Sequence, residues 1–196
     1  MKIIIATKNS HKVKEIREIF QHDAIDLSDL KSFPDIPEAV EDGKSFRENA
    51  LIKARYYHER TGMPVIADDS GLVVHALDGM PGIYSARYAG PASDYVQNNI
   101  KLLDDLANVP AGKRGAFFVC YAVYWDGREQ IETEGRIDGH IGFEARGGNG
   151  FGYDPLFFAE GYDRTLAELP ASEKNRISHR YRAFSRLRDM VVRRNG

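Results

Sequence analysis

The sequence predicts an α/β protein built on a mixed central sheet, and three observations carry that prediction. Short β-rich runs alternate with stretches of helical periodicity between Lys2 and Gly71. Gly115 to Trp125 is apolar at both parities, as a central strand covered on both faces requires. Asp126-Gly127 then gives a hairpin signal into a further run, Glu129 to Ile137, which adds an antiparallel pair to strand-helix-strand units.

In chain order, Lys2 to Ala6 is a compact strand, and Val13, Ile16, Ile19 and Phe20 repeat at helical spacing. The loop between them is Thr7-Lys8-Asn9-Ser10-His11-Lys12. Asn9 or Ser10 can cap the helix, leaving backbone N–H groups at its start with Lys12 one turn in. That arrangement offers a phosphate donors, a favourable dipole and a cation, or it is a plain capped helix with a surface lysine. The loop lacks glycine and so is no P-loop. Residues 21 to 44 read as irregular, with Pro34, Pro37 and the acidic run Glu38 to Gly43, either a solvated loop or a source of metal-binding carboxylates. Ser45-Phe46-Arg47-Glu48 is a capping box, and Phe46, Ala50, Leu51, Ala54 and Tyr57 mark one face of a helix to about Arg60, with Lys53 off that stripe. Gly62 and Pro64 end it.

Val65 to Gly71, V-I-A-D-D-S-G, is an apolar run followed by two carboxylates, a hydroxyl and a glycine. It reads as a strand leaving the sheet through a turn, or as a buried strand delivering a carboxylate that binds a metal or takes a proton from water. Leu72 to Leu77 is a further strand candidate with Asp78-Gly79 as its turn, and Arg87 either reaches an anion or packs beside tyrosines. Asp94-x-x-Gln97 caps a helix with apolar positions Val96, Ile100, Leu103 and Leu106. Gly147 to Asp154 has four glycines within six residues together with Phe151, which suits close backbone approach to a flat ligand and stacking on a base, or a flexible hairpin. Pro155 to Phe158 is β-like. The last segment spaces Ile177, Tyr181, Phe184, Leu187 and Val191 helically, capped by Ser178 with His179 and Arg180 in its first turn, or else begun at Ser172 with His179 on the surface.

At 196 residues the chain suits a single domain spanning 1–196, able to bury roughly 70% of its unfolded surface. The lone Cys120 lies in an apolar run, which excludes an intramolecular disulfide or a cysteine-rich zinc site and reads as a core thiol in a reducing compartment. The amino terminus lacks a signal-peptide core, and the longest apolar run is about half the roughly 20 residues of a membrane helix, so a cytoplasmic protein with no membrane partner is expected. Net charge is −2, but Lys174 to Gly196 holds eight basic residues and one acid, a net of +7 on a body of −9. Such a tract fits an anionic partner or a solvated helix face.

Six stretches in order resemble one family: T-x-N-x-x-K at Thr7 to Lys12, E-N-A-x-x-K-A at Glu48 to Ala54, A-D-D-S-G at Ala67 to Gly71, P-G-I-Y-S-A-R at Pro81 to Arg87, G-F-G-Y-D-P at Gly150 to Pro155, and S-H-R at Ser178 to Arg180. They are similar to the inosine triphosphate pyrophosphatases, also called dITP/XTP pyrophosphatases, and cover nearly the whole chain. Lys8 departs from the pattern, since many relatives have glycine there. The resemblance implies an elongated mixed α/β sheet with flanking helices, two lobes around an active-site cleft, and a homodimer. It implies Mg²⁺-dependent hydrolysis of ITP, dITP and XTP to monophosphate and pyrophosphate, with a small-molecule partner and no nucleic acid. On it, Thr7, Lys8, Asn9, Ser10, His11, Lys12 and Lys53 hold the triphosphate, and Glu41 and Asp69 hold the metal. Asp69 is the general base. Ser70, Phe151, Gly152, Tyr153 and Asp154 contact the nucleoside with Phe151 stacking, Lys174 completes the site, and His179 and Arg180 donate to the purine 6-carbonyl. A regular strand would point Asp68 the other way from Asp69.

Overall fold

The structure is a computed structural model that describes residues 1–21 and 25–195; three residues of the stretch read as irregular, 22–24, lie outside it. Six strands form one sheet in the order β2-β1-β3-β4-β5-β6: β1 (Lys2–Ile5), β2 (Asp26–Asp29), β3 (Val65–Val74), β4 (Gly115–Trp125), β5 (Gln130–Ile141) and β6 (Phe157–Ala159). β1 pairs in parallel with β2 and with β3, whereas β5 and β6 are antiparallel, so the sheet is mixed as the pattern predicts. Among the described residues five α-helices flank it: α1 (Ser10–Phe20), α2 (Phe46–Thr61), α3 (Tyr95–Asp105), α4 (Ala171–Ile177) and α5 (His179–Asn195). Among the described residues no helix is long and apolar enough to cross a membrane.

The chain divides into two compact units, one of residues 1–69, 120–135 and 180–196, the other of 70–119 and 136–179. The division falls inside β3, between Asp69 and Ser70. In the first unit, strand parity sorts side chains into two cores. Ile3, Ile5 and Ile66 pack with Ile16 and Phe20 of α1 and Phe184 and Leu187 of α5. Ile4, Val65 and Ala67 pack with Ala50, Ala54 and Tyr57 of α2. Both faces of Ile3–Ile5 in β1 and of the first three residues of β3, Val65 to Ala67, are covered, which is why these runs are apolar without alternation. The second unit has one core around Leu72, Val74, Leu102, Phe118, Ile137 and Phe157.

Several elements differ from the sequence pattern. β3 does not turn at Asp68-Asp69-Ser70-Gly71 but continues for ten residues to Val74, followed by a 3-10 turn at His75–Leu77. Its polar residues stay in the strand because partners on either face satisfy them. β2 forms in the stretch read as irregular; the sequence D-L-S-D has little β character, and an edge position beside β1 is what makes it a strand. Ser45 caps α2 through the Glu48 N–H, but the Glu48 carboxylate accepts from the Lys44 N–H at 2.6 Å. The helix ends on Gly62 at φ 66°, a left-handed position suited to glycine.

On α3 the capping box at Asp94 and Gln97 is present, yet Val96 and Ile100 are exposed and the buried line is Asn98, Leu102 and Leu106. Asn98 is drawn inward because its amide bonds Ala86, Ala89 and Ser93. The carboxy-terminal stripe is shifted likewise. Ser178 separates α4 from α5, Tyr181 is exposed, and the inward line runs Arg180, Ala183, Phe184, Leu187 and Val191. Arg87 packs over Tyr84.

Candidate functional site

The adjacent carboxylates of β3 follow the strand's two-residue period to opposite faces. Asp68 shares the side of Ile66 and meets α1 and α5. Its Oδ2 accepts from Lys12 Nζ at 2.9 Å and faces Arg180 Nη2 at 3.4 Å, with the Cys120 thiol at 3.8 Å. The Arg180 guanidinium is 2% exposed and donates its other arm to Glu15 at 2.7 Å. Burial works to raise the Asp68 pKa, but Lys12, Arg180 and Lys53 together outweigh it and hold the carboxyl well below its usual range. Asp68 is therefore a permanent anion in a buried ion network. The same surroundings push the Cys120 thiol up, by burial first and by the Asp68 charge second.

Asp69 shares the side of Val65 and Ala67 and meets α2. Its Oδ2 accepts from the Asn49 amide at 3.1 Å, and its Oδ1 stands 3.9 Å from Lys53 Nζ. The same ammonium donates to Glu41 Oε2 at 2.7 Å. Here burial prevails over the lysines, and the Asp69 pKa is raised. Lys53 is also buried, which favours its neutral form, but Asp69, Glu41 and Asp68 outweigh that effect and keep it charged. A cavity of about 190 Å³ is lined by Thr7, Lys8, Glu38, Glu41, Lys53 and Tyr57. A larger hollow of about 860 Å³ runs along Val13, Arg17 and Leu30, touching neither β3 carboxylate.

The start of α1 is arranged differently from the free helix end that the spacing allowed. Asn9 Oδ1 accepts from the His11 and Lys12 N–H groups, and the Asn9 N–H donates to Thr7 Oγ1, so two early donors are occupied. Ser10 and His11 are exposed. Lys8 is exposed and pairs with Glu38 at 3.1 Å.

The second unit carries the remaining predicted positions. Ser70 is half-buried on β3. In the glycine-rich loop, Asp154 Oδ2 accepts from the Phe151 N–H at 2.8 Å and from Lys174 Nζ at 2.9 Å, which makes a rigid turn of a stretch that read as either pocket or flexible hairpin. Gly150, at φ 75°, leaves no room for a side chain, because a Cβ would lie 2.2 Å from that carboxylate. Lys174 stands 4.7 Å from the Phe151 ring centre and Tyr95 lies 6.0 Å away. Asn99 of α3 donates to the Gly152 carbonyl at 3.1 Å. Tyr153 is in the core, its hydroxyl donating to the Ser85 carbonyl at 2.8 Å, so only its backbone is open to a ligand. His179 is buried with its ring stacked on Phe118, 4.9 Å between centres.

Among the described residues, no group of three or more His, Cys, Asp or Glu side chains forms a metal cage. Glu41 and Asp69 do bracket one cation position, that of the Lys53 ammonium, with hard oxygen donors only. That donor set suits Mg²⁺, which takes one or two carboxylates and completes its shell with phosphate oxygens and water.

Asn49, Glu15 and Asn99 are site-adjacent residues to which the sequence reading gave no role, although Asn49 is a fixed position of the E-N-A-x-x-K-A stretch. Asn49 had a local signal, one helical turn before Lys53 on α2. Glu15 and Asn99 had none, since their partners are 165 and 53 residues away.

A buried carboxylate set on a sheet strand between an amide at 3.1 Å and a lysine at 3.9 Å is an arrangement that α/β enzymes use. The chain belongs to the Ham1 family, whose model matches residues 3–190. It is 50% identical over 189 residues to the dITP/XTP pyrophosphatase of Desulfotalea psychrophila, covering 95% of this chain and 83% of that one. Its identity to the dITP/XTP pyrophosphatase of Geobacter sulfurreducens is 48%, covering 96% and 95%. The fold matches the HAM1 protein of Coxiella burnetii with a TM-score of 0.91 at 37% identity over 98% of this chain and 99% of the other. It matches the Ham1 protein of Staphylococcus aureus at 0.87 and 38%, over 97% and 98%.

Proposed function

We propose that this protein hydrolyses nonstandard purine nucleoside triphosphates, ITP, dITP and XTP, to the monophosphate and pyrophosphate, and so removes deaminated purines from the nucleotide pool. The observation that carries this reading is the contrast between the two β3 carboxylates: Asp68 is held by Lys12 at 2.9 Å and Arg180 at 3.4 Å, whereas Asp69 is met by the Asn49 amide at 3.1 Å with the Lys53 ammonium 3.9 Å away. Relatives named dITP/XTP pyrophosphatase support the substrate class.

In the proposed reaction, water attacks the α-phosphorus, Asp69 accepts its proton, the bond from the α-phosphorus to the bridging oxygen breaks, and pyrophosphate leaves. A positioned base of this kind is worth about 10²- to 10⁴-fold. Asn49 and Lys53 orient Asp69, and Lys53 with Lys12 and the Thr7 to His11 loop offers positive charge and donors to the triphosphate. Glu41 and Asp69 would hold Mg²⁺, whose chemistry is to neutralise phosphate charge. In the second unit, Phe151 is assigned to stacking on the purine, with Ser70, Gly152 and the Tyr153 backbone at the nucleoside. Asp154 is assigned to hold Lys174 beside that ring. His179 is the donor assigned to the 6-carbonyl. Arg180, buried between Asp68 and Glu15, is assigned to holding Asp68 rather than to the base directly. We further propose a cytoplasmic homodimer, which light scattering of the purified protein tests.

The deciding experiment is a pyrophosphate-release panel over ITP, dITP, XTP, ATP and GTP with and without Mg²⁺. Release from the first three, far above the last two and only with the metal, is expected; equal rates on all five would overturn the specificity.

A further inference from the structure

We propose that Asn49 is a positioning residue that locks the Glu41-Asp42-Gly43 segment to the Asp69 carboxylate, a role that rests on the assignments of Asp69 and Glu41 above. Asn49 is 1% exposed in the first turn of α2. Its Oδ1 accepts from the Gly43 N–H at 2.9 Å, and its Nδ2 donates to Asp69 Oδ2 at 3.1 Å. The orientation of the amide is forced. Gly43 N–H can only donate, so the oxygen must face it, and the nitrogen is left for a carboxylate that only accepts.

Space enforces the same contact. A Cβ on Gly43 would fall 2.7 Å from both Asn49 Oδ1 and Glu48 Cβ, so the segment lies against the helix start only because position 43 has no side chain. One turn on, Lys53 also reaches Glu41 and Asp69, but as a point charge on a flexible stem. The planar amide supplies the direction that the ammonium lacks. Proximity gains depend on placement within about 1 Å, and a side chain that fixes one acidic group relative to another supplies it.

The test uses the full-length protein with Asn49→Ala and Asn49→Asp. Both variants lack the donor to Asp69, while Asn49→Asp keeps the acceptor for Gly43. Both should lose kcat on ITP by about 10- to 100-fold, the usual effect of removing a group that orients a reactive side chain. KM should stay within about threefold, since ground-state binding is untouched. Amide exchange at Gly43 in the nucleotide-free protein should accelerate in Asn49→Ala and stay slow in Asn49→Asp. Full kcat in Asn49→Asp, or an unchanged Gly43 exchange rate in Asn49→Ala, would overturn the proposal. A third arm does not depend on turnover. Asn49→Asp should melt at lower temperature because two carboxylates face each other, and adding Asp69→Asn should raise the melting point by more than the same change raises that of the wild type, because donor and acceptor are exchanged; an equal rise in both backgrounds would also overturn it. An Asp69→Asn enzyme as active as the wild type would instead remove the base assignment, leaving the Gly43 and melting readouts to judge the link itself.

Discussion

Asp68 and Asp69 are neighbours in sequence and opposites in environment. The side of β3 that Asp68 faces supplies two cations within 3.4 Å, while the side that Asp69 faces supplies an amide and a lysine at 3.9 Å. Both carboxylates are buried, so burial alone does not separate them. What separates them is how much positive charge each helix layer brings, and that sets one as a fixed charge and the other as a titrating group.

The contrast can be broken at either residue. The largest effect is expected for Asp69→Asn, which should cut pyrophosphate release from ITP by about 10²- to 10⁴-fold. Nucleotide binding, measured by calorimetry, should persist. Asp68→Ala should act on folding instead, leaving Lys12 and Arg180 buried without their shared anion; loss of one partner from such a network costs about 3–5 kcal/mol, read in urea unfolding. A variant set in which Asp68→Ala unfolds like the wild type would show the network to be dispensable.

The two residues should also move stability in opposite directions with pH. The folded-state pKa of Asp68 lies below its unfolded value of about 3.9. Its contribution is therefore present above that value and is lost as pH falls through the folded pKa. For Asp69 the folded pKa lies above about 3.9, so ionisation in the folded state is a cost at neutral pH that acidification relieves. Asp69→Asn should accordingly gain about 0.5–2 kcal/mol at neutral pH, as often happens when a strained functional group is removed, and lose that gain below about pH 3.9. Thermal melts across pH for both variants give the comparison directly. The smallest expected effect concerns Cys120. Its buried thiol, with a raised pKa, should resist alkylation in the folded protein at neutral pH and react once urea unfolds the chain.

What was legible in the sequence was local. The apolar period of α1, the caps of α2 and α3, the doubly covered β4 and the glycine-rich turn all depend on residues within a few positions of each other, and each is found. The ion network is not local: Lys12, Arg180 and Glu15 meet partners 56, 112 and 165 positions away. Its absence from local pattern explains two departures together. A-D-D-S-G reads as an exit from the sheet only if its charges have no partners, and the carboxy-terminal stripe runs through Tyr181 rather than Arg180 only if the arginine has none. The motifs brought the candidate residues onto the page, but the division of labour between Asp68 and Asp69 required the side chains on either face of β3.

That alternation along β3 also makes the strand unforgiving of insertions and deletions. A residue added just before Asp68 would carry the old Asp68 side chain round to α2 and turn its predecessor towards α1 and α5. A carboxylate would still face Lys53, but Lys12 and Arg180 would have none. A residue removed there would keep an anion against those two cations and set Ser70 where the proton acceptor belongs. Lengthening β3 by one leaves two cations without their anion, and shortening it by one carries the old Asp68 into the apolar layer of Ala50, Ala54 and Tyr57, so either change would be read as a folding defect.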